Sequence, residues 1–123
     1  LPVIAPLAGG EADENVSFNI NADLCASRIA AALKASKAIF LSDIDGVLDK
    51  EGNLISKLDA ALISKLKNDG TIAGGMIPKV DACLQCVRNG ASAAHIINGK
   101  IPHSILLELF TDGGIGSLIK EEI

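Results

Sequence analysis

The chain has 123 residues, of which 49% are hydrophobic and 21% charged, so it is long enough to bury a core and too apolar to be disordered. Its net charge of −4, without a basic cluster, argues against a nucleic-acid partner, and no apolar run reaches the length of a membrane span. Three Phe with no Tyr or Trp leave the core to aliphatic side chains. We therefore expect a single domain over residues 1–123 that acts neither on nucleic acid nor in a membrane.

The N-terminal segment predicts two short strands. Residues 1–5 have the pattern of a buried strand, and a turn-rich segment through Gly9, Gly10 and Asp13 follows. Residues 16–18 predict a second, brief strand. Because the chain opens within an apolar run and without an initiator Met, we expect it to be a fragment or a processed chain.

A helix and a buried strand come next. Asn21 is a suitable N-cap, Asp23 lies in the first turn, and the apolar spacing predicts a helix to about Ser36. The apolar run 38–41 then predicts a buried parallel strand that ends in the polar pair Ser42-Asp43. In parallel sheets ligands bind beyond the carboxyl ends of the strands, so this pair is a candidate binding site.

The remaining elements alternate between helix and strand. The pattern first predicts a hairpin-like excursion over 45–55, a helix over 59–68, and a helix that opens at Gly74–Lys79 and runs to about Arg88. A strand over 93–97, a helix over 105–110, a glycine-rich loop over 111–116 and a strand over 117–119 follow. This alternation predicts an α/β fold with a largely parallel sheet.

The segment Gly74-Gly75-Met76-Ile77-Pro78-Lys79 predicts an anion site. Glycines, a helix N-terminus and a lysine in the first turn are typical of sites that bind phosphate. The alternative is an ordinary loop-to-helix junction with a solvated lysine. The Lys-Ser/Thr pair of a P-loop does not follow Gly75, so this is not a P-loop.

Three cysteines make an odd number, and two of them form the C-x-x-C of Cys83 and Cys86. Both lie well inside the third predicted helix, whereas a redox pair sits at a helix N-terminus. His95 and His103 do not supply an obvious second pair of zinc ligands. We expect small buried helix residues, no protein-bound metal, and a reducing, cytoplasmic location.

One local motif predicts a different enzyme. The strand followed by Asp43-Ile44-Asp45-Gly46-Val47 resembles the first motif of haloacid-dehalogenase phosphatases, in which the first Asp is the nucleophile and the second the general acid. The phosphatase hypothesis requires a second acidic pair, further along the chain, to complete the magnesium site. Neither Asp112 nor Glu121-Glu122 is a convincing candidate.

A second resemblance covers nearly the whole chain. It rests on four motifs in one order: Asn19-Ile20-Asn21-Ala22-Asp23, Phe40-Leu41-Ser42-Asp43 with Gly46-Val47-Leu48, Gly74–Val80, and His103–Gly116. With this set the chain resembles the amino-acid kinase family, and within it the enzymes that phosphorylate the γ-carboxylate of N-acetyl-L-glutamate with ATP and Mg²⁺ in arginine biosynthesis. The resemblance implies a three-layer α/β sandwich.

The resemblance also implies roles for particular residues. Asn19 would touch acetylglutamate, Asp23 would hold catalytic lysines in place, and Lys79 would meet the transferred phosphoryl group. The nucleotide would be bound by Ser42, Asp43, Gly74, Gly75, Met76 and Lys79, with Mg²⁺ carried by the nucleotide and no metal held by the chain itself.

Family enzymes also contain an N-terminal half, with a glycine-rich loop and a further lysine, that does not precede Leu1 here. The chain is therefore expected to be the C-terminal, nucleotide-binding domain without the substrate lobe, binding nucleotide weakly and not turning over alone. In arginine-inhibited members, positions matching His95, Glu108 and Gly114 belong to the effector site. Some members form homo-oligomers or bind the PII signalling protein. A third hypothesis is a non-catalytic module that senses nucleotide or arginine.

Overall fold

Strands and helices alternate along the chain as predicted. A computed structural model describes residues 1–12 and 15–123, so Asp13, in the predicted turn, lies outside the described residues. The elements are β1 (Leu7–Gly9), β2 (Ser17–Asn19), α1 (Ala22–Ala32), β3 (Ala38–Ser42), β4 (Lys57–Leu58), α2 (Ala60–Asn68), α3 (Met76–Arg88), β5 (Ala94–Asn98), α4 (Ser104–Phe110) and β6 (Ser117–Ile119). Of the helices in these ranges, none is long and apolar enough to cross a membrane.

The main sheet has the strand order β3-β5-β6-β4. The pairs β3/β5 and β4/β6 are parallel and β5/β6 is antiparallel, which confirms a largely parallel sheet with one reversal. The reversal arises because α4 returns the chain to the edge at which β5 ends, so that Ile96 pairs with Ser117. The strands β1 and β2 form a separate antiparallel ribbon.

The two faces of the main sheet are covered by different helices, giving three layers. Ala94 and Ile96 of β5 belong to the buried core together with Val80 and Cys83 of α3. The intervening His95 points to the opposite face, where its ring contacts Glu108 of α4. Among the described core residues, Phe40 is the one aromatic side chain. The predicted α/β fold and three-layer arrangement are therefore confirmed.

Two local predictions were wrong. Residues 1–5 form no strand, and Leu1, Val3 and Ile4 are exposed. Pro2 and Pro6 lack the N–H that a strand needs for pairing, which explains why the apolar pattern predicted a strand that does not form. The first helix ends at Ala32 rather than near Ser36.

The strand β4 was not predicted. At two residues it is too short to produce an alternating pattern, and it exists because β6 pairs with it. The predicted excursion before it is present as a bridge between Leu48 and Leu54.

Candidate functional site

The start of α1 presents a carboxylate at a fixed position. The Asn21 side chain caps the helix by accepting a hydrogen bond from the Leu24 N–H at 3.0 Å. This cap, which the sequence predicted, sets the first turn and with it Asp23, whose carboxylate lies near the positive end of the helix dipole.

The central contact of the site joins α1 to α3. Lys79, in the first turn of α3, donates to both carboxylate oxygens of Asp23, at 2.9 and 3.0 Å, and to the Leu41 carbonyl at 3.4 Å. Three acceptors match the three N–H donors of an ammonium group. The two side chains are only 18% and 31% exposed. Thus two residues 56 positions apart meet beside the end of β3, and the ammonium group is held at a defined point.

The glycine-rich loop before α3 is open to solvent. Gly74 has a φ of +55°, and nothing lies within 4 Å of the place where a Cβ would stand on Gly74 or Gly75. The N–H groups of Met76 and Ile77 donate to the Ala73 and Gly74 carbonyls at 3.3 and 3.2 Å. These bonds are long, so the backbone at the helix start is accessible while its first donors are only weakly engaged.

The carboxyl ends of β3 and β5 lie side by side. Ser42 pairs with Asn98, and the Gly99 N–H donates to the Ser42 carbonyl at 2.9 Å. The Asn98 side chain also donates to Asp45 at 2.9 Å, and both Asp43 and Asp45 are exposed. The predicted strand over 93–97 stops one residue before Asn98, although the rule that singled out Ser42, a polar residue at a parallel strand end, applies equally to Asn98.

Ser117 is a second residue that sequence reasoning missed. Its buried hydroxyl accepts from the Val47 N–H at 2.8 Å and donates to the Ile55 carbonyl at 2.7 Å. A lone serine in an apolar strand gave no signal, because its partners lie 70 and 62 positions away.

A separate polar cluster lies on the other face of the sheet. His95 Nδ1 is 2.6 Å from Glu108 Oε1, and Glu108 Oε2 accepts from the Ile115 N–H at 2.7 Å. A Cβ on Gly114 would lie 2.9 Å from the same carboxylate, so glycine permits the close approach. The structure thus brings together the three residues predicted for an effector site, beside a cavity of about 310 Å³ that Lys37 also lines.

Burial governs the charge state of His95. Both side chains of the pair are only 8% exposed, and desolvation lowers the pKa of His95, while the Glu108 carboxylate opposes that shift and Lys37 adds to it. A neutral ring with its proton on Nδ1 donates to Glu108 and leaves Nε2 as an acceptor. Within residues 1–12 and 15–123 that buried Nε2 has no hydrogen-bond partner.

Two other predictions concern residues outside these clusters. Asn19 ends β2 opposite Leu7, and in the described part of the chain no hydrogen bond joins its side chain to Lys79. Cys83 and Cys86 are free and buried within α3, which confirms the structural interpretation of the C-x-x-C. Burial raises the pKa of both thiols.

A larger cavity, of about 410 Å³, lies between α1 and β3 and does not coincide with the charged site. Its lining is apolar and includes Cys25, Ile29 and Ile39. An apolar groove offers nothing to oppose phosphate charge, so the chemistry points to the Lys79–Asp23 end of the sheet.

A largely parallel sheet with helices on both faces, a glycine-rich helix start and a lysine at its strand ends places the chain among three-layer α/β domains. Within that class the chain belongs to the amino acid kinase family, whose model matches residues 1–98.

Several known proteins are similar to this chain over nearly its whole length. An acetylglutamate kinase of Campylobacter hominis is 72% identical over 98% of the chain, and one of Campylobacter fetus is 67% identical over 98%. The chain spans 42% of the length of each of these relatives. Among solved structures, an N-acetylglutamate synthase from Neisseria gonorrhoeae, complexed with coenzyme A and L-arginine, superposes with a TM-score of 0.87 at 28% identity. That match covers 97% of this chain and 27% of the synthase.

Proposed function

We propose that this chain is the ATP-binding, C-terminal domain of an acetylglutamate kinase, an enzyme that transfers the γ-phosphoryl group of ATP to the γ-carboxylate of N-acetyl-L-glutamate. The observation that carries the proposal is the Lys79–Asp23 contact at the end of β3, with Nζ 2.9 Å from the carboxylate. The identity of 72% to an acetylglutamate kinase supports the choice of acceptor.

The residues at this end of the sheet suit phosphoryl transfer, in which positioning and charge stabilisation do most of the catalytic work. Lys79 opposes the charge on the phosphate oxygens, assisted by the N-terminus of α3. Of the three hydrogen bonds that Lys79 donates, the one to the Leu41 carbonyl is the longest, at 3.4 Å. The N–H group that makes this bond is therefore the one that would turn to a phosphate oxygen. Asp23 keeps the ammonium group in place and acts as a positioning residue.

The open loop at Gly74 and Gly75 fits a triphosphate, because neither glycine carries a side chain that would block the backbone and both sites are free of neighbours within 4 Å. Ser42 and Asp43 border the same site at the end of β3. Mg²⁺ would be held chiefly by the nucleotide's phosphates, and Asn19 would contact acetylglutamate from β2.

The chain alone is proposed to bind nucleotide without turning over. It spans 42% of the length of its kinase relatives, and it supplies one lysine to a reaction centre in which charge on several phosphate oxygens must be opposed. The full-length protein is proposed to form homo-oligomers, and PII is a candidate partner.

We further propose that the cluster of His95, Glu108 and Gly114 binds arginine as an effector. The synthase whose structure superposes with a TM-score of 0.87 was solved with L-arginine. A guanidinium group matches the buried Glu108 carboxylate, and the loop at Gly114 supplies backbone carbonyls. In the full-length protein, Glu108→Ala should abolish arginine inhibition, and Glu122→Ala, an exposed glutamate, should not. Unchanged inhibition in Glu108→Ala would exclude this site.

Two alternative functions, a phosphatase and a purely sensing module, can be distinguished from a kinase by experiment. Family membership favours a kinase over a phosphatase, and Asp45 is engaged by Asn98 at 2.9 Å. Asp45→Asn should therefore largely preserve MgATP binding, whereas a phosphatase would lose its general acid. A purely sensing module would bind nucleotide or arginine, yet the full-length protein would show no acetylglutamate-dependent ADP release.

The test of the nucleotide site is calorimetric titration of the chain with MgATP. Lys79→Ala should weaken binding about tenfold or more, because one charge-assisted contact to phosphate is worth about 1.5–3 kcal/mol. The matched control is Lys67→Ala, since Lys67 is also partly buried in an ion pair, with Asp81. Equal affinity of the two variants would refute the assignment of Lys79.

A further inference from the structure

The loop that follows β3 is tied to a strand far away in sequence. The Ser117 hydroxyl of β6 accepts a hydrogen bond from the Val47 N–H and donates one to the Ile55 carbonyl, at 2.8 and 2.7 Å. Ser117 is 1% exposed, so both bonds are shielded from water. One side chain therefore binds both ends of the excursion over residues 45–55.

Gly46 brings the loop close enough for these bonds. A Cβ at this position would lie 2.6 Å from the Ser117 hydroxyl oxygen, and its φ is +150°. Only glycine accepts both the approach and the backbone conformation without strain. The contact is therefore built into the loop as well as into β6.

A second tie reaches the same loop from β5. Asn98 donates to the Asp45 carboxylate at 2.9 Å, while its side-chain oxygen accepts from the Lys100 N–H at 2.9 Å. The amide is thereby oriented on both sides, with its donor toward the loop. Two strands that run in opposite directions, β5 and β6, thus hold one loop within three residues, from Asp45 to Val47.

We propose that Ser117 and Asn98 are positioning residues that hold the loop after Asp43 in the conformation that binds nucleotide. The inference rests on the proposed nucleotide site, of which Ser42 and Asp43 form one border. A loop released from these ties would populate other conformations, and the apparent affinity would fall by the fraction of molecules that remain competent. Neither residue needs to touch the nucleotide for this effect.

The experiment is titration of the chain with MgATP combined with amide hydrogen exchange. Ser117→Ala should weaken binding about tenfold and accelerate exchange at the Val47 amide, which loses its acceptor. Ser104→Ala, which removes another buried serine hydroxyl, in α4, should change neither. A loss of global stability alone would accelerate exchange throughout the core instead.

Asn98 allows a test that does not depend on a buried side chain. Asn98→Asp places a carboxylate against Asp45 and should weaken MgATP binding about tenfold, whereas adding Asp45→Asn restores a donor and an acceptor and should recover most of the affinity. If the wild-type chain binds MgATP and all these variants bind it equally, the inference is overturned and the site stands. If the wild-type chain binds no MgATP, the proposed function falls and the inference with it.

Discussion

The buried Glu108 carboxylate makes a sharp prediction for stability. Its two oxygens accept from His95 and from the Ile115 N–H, at 2.6 and 2.7 Å. In Glu108→Gln one of the two oxygens becomes an NH₂ group. Either this group faces the Ile115 N–H or the His95 Nδ1–H, or the ring moves its proton to Nε2, where it is a buried donor without a partner among the described residues. The loss of a charge-assisted bond and the unpaired donor together predict about 2 kcal/mol less free energy of unfolding at pH 7.5.

Urea denaturation followed by circular dichroism measures this loss. With a slope of about 1–2 kcal/mol per molar urea, the unfolding midpoint should fall by about 1–2 M. The control is Glu122→Gln, which makes the same chemical change on an exposed side chain and should leave the midpoint within about 0.2 M of the wild type. Equal midpoints for the two variants would show that the Glu108 network does not stabilise the fold.

Three further predictions follow from burial and backbone geometry. Burial lowers the pKa of His95 below 6.5, so the unfolded chain binds a proton at this residue more readily than the folded chain. The urea midpoint should therefore fall as the pH is lowered from about 7.5 to 5.5, and it should fall less in His95→Gln. Gly116→Ala should prevent folding or lower the free energy of unfolding by about 3 kcal/mol or more, since its Cβ would lie 2.2 Å from a β5 carbonyl oxygen. In the same assay Gly52→Ala should lower the free energy of unfolding by about 1–2 kcal/mol, because Gly52 has open space around it but a positive φ. Burial raises the pKa of Cys83, so a thiol reagent should label half-buried Cys25 first in the native chain and should label all three cysteines only in urea. Rapid labelling of Cys83 in the native chain would contradict the packing of α3.

Long periodic segments were predictable from the sequence because local pattern and tertiary burial agree there. The apolar face of α3 belongs to the observed core, as do Ala38 and Phe40 of β3, whereas Leu41 is exposed. Leu1–Ala5 failed because an apolar run flanked by prolines cannot pair, and β4 was missed because its two residues form a strand only through β6. Composition alone carries no information about such a partner.

The candidate site was predictable where one residue carries a local signal. The positions of Asn21 as a cap, Lys79 behind two glycines and Ser42 at a strand end were predicted this way, while the functional roles of Lys79 and Ser42 stay predictions. The structure shows the cap and the contact of Lys79 with Asp23. Ser117 was not predictable, because its role depends on a contact with Val47 across 70 positions. Such ties come from the packing of β6 against the loop and not from any pattern along the chain.

The most direct test of the account is a map of the backbone amides that respond to MgATP in ¹⁵N-labelled chain. If the nucleotide binds at the Lys79–Asp23 end of the sheet, the largest shifts should fall at Ser42, Asp43, Gly74 and Gly75. Most of these shifts should be lost in Lys79→Ala, and the amides of the apolar groove around Ile29 should change little. No saturable response, or shifts centred on that groove, would contradict the assignment of the nucleotide site to the Lys79–Asp23 end of the sheet.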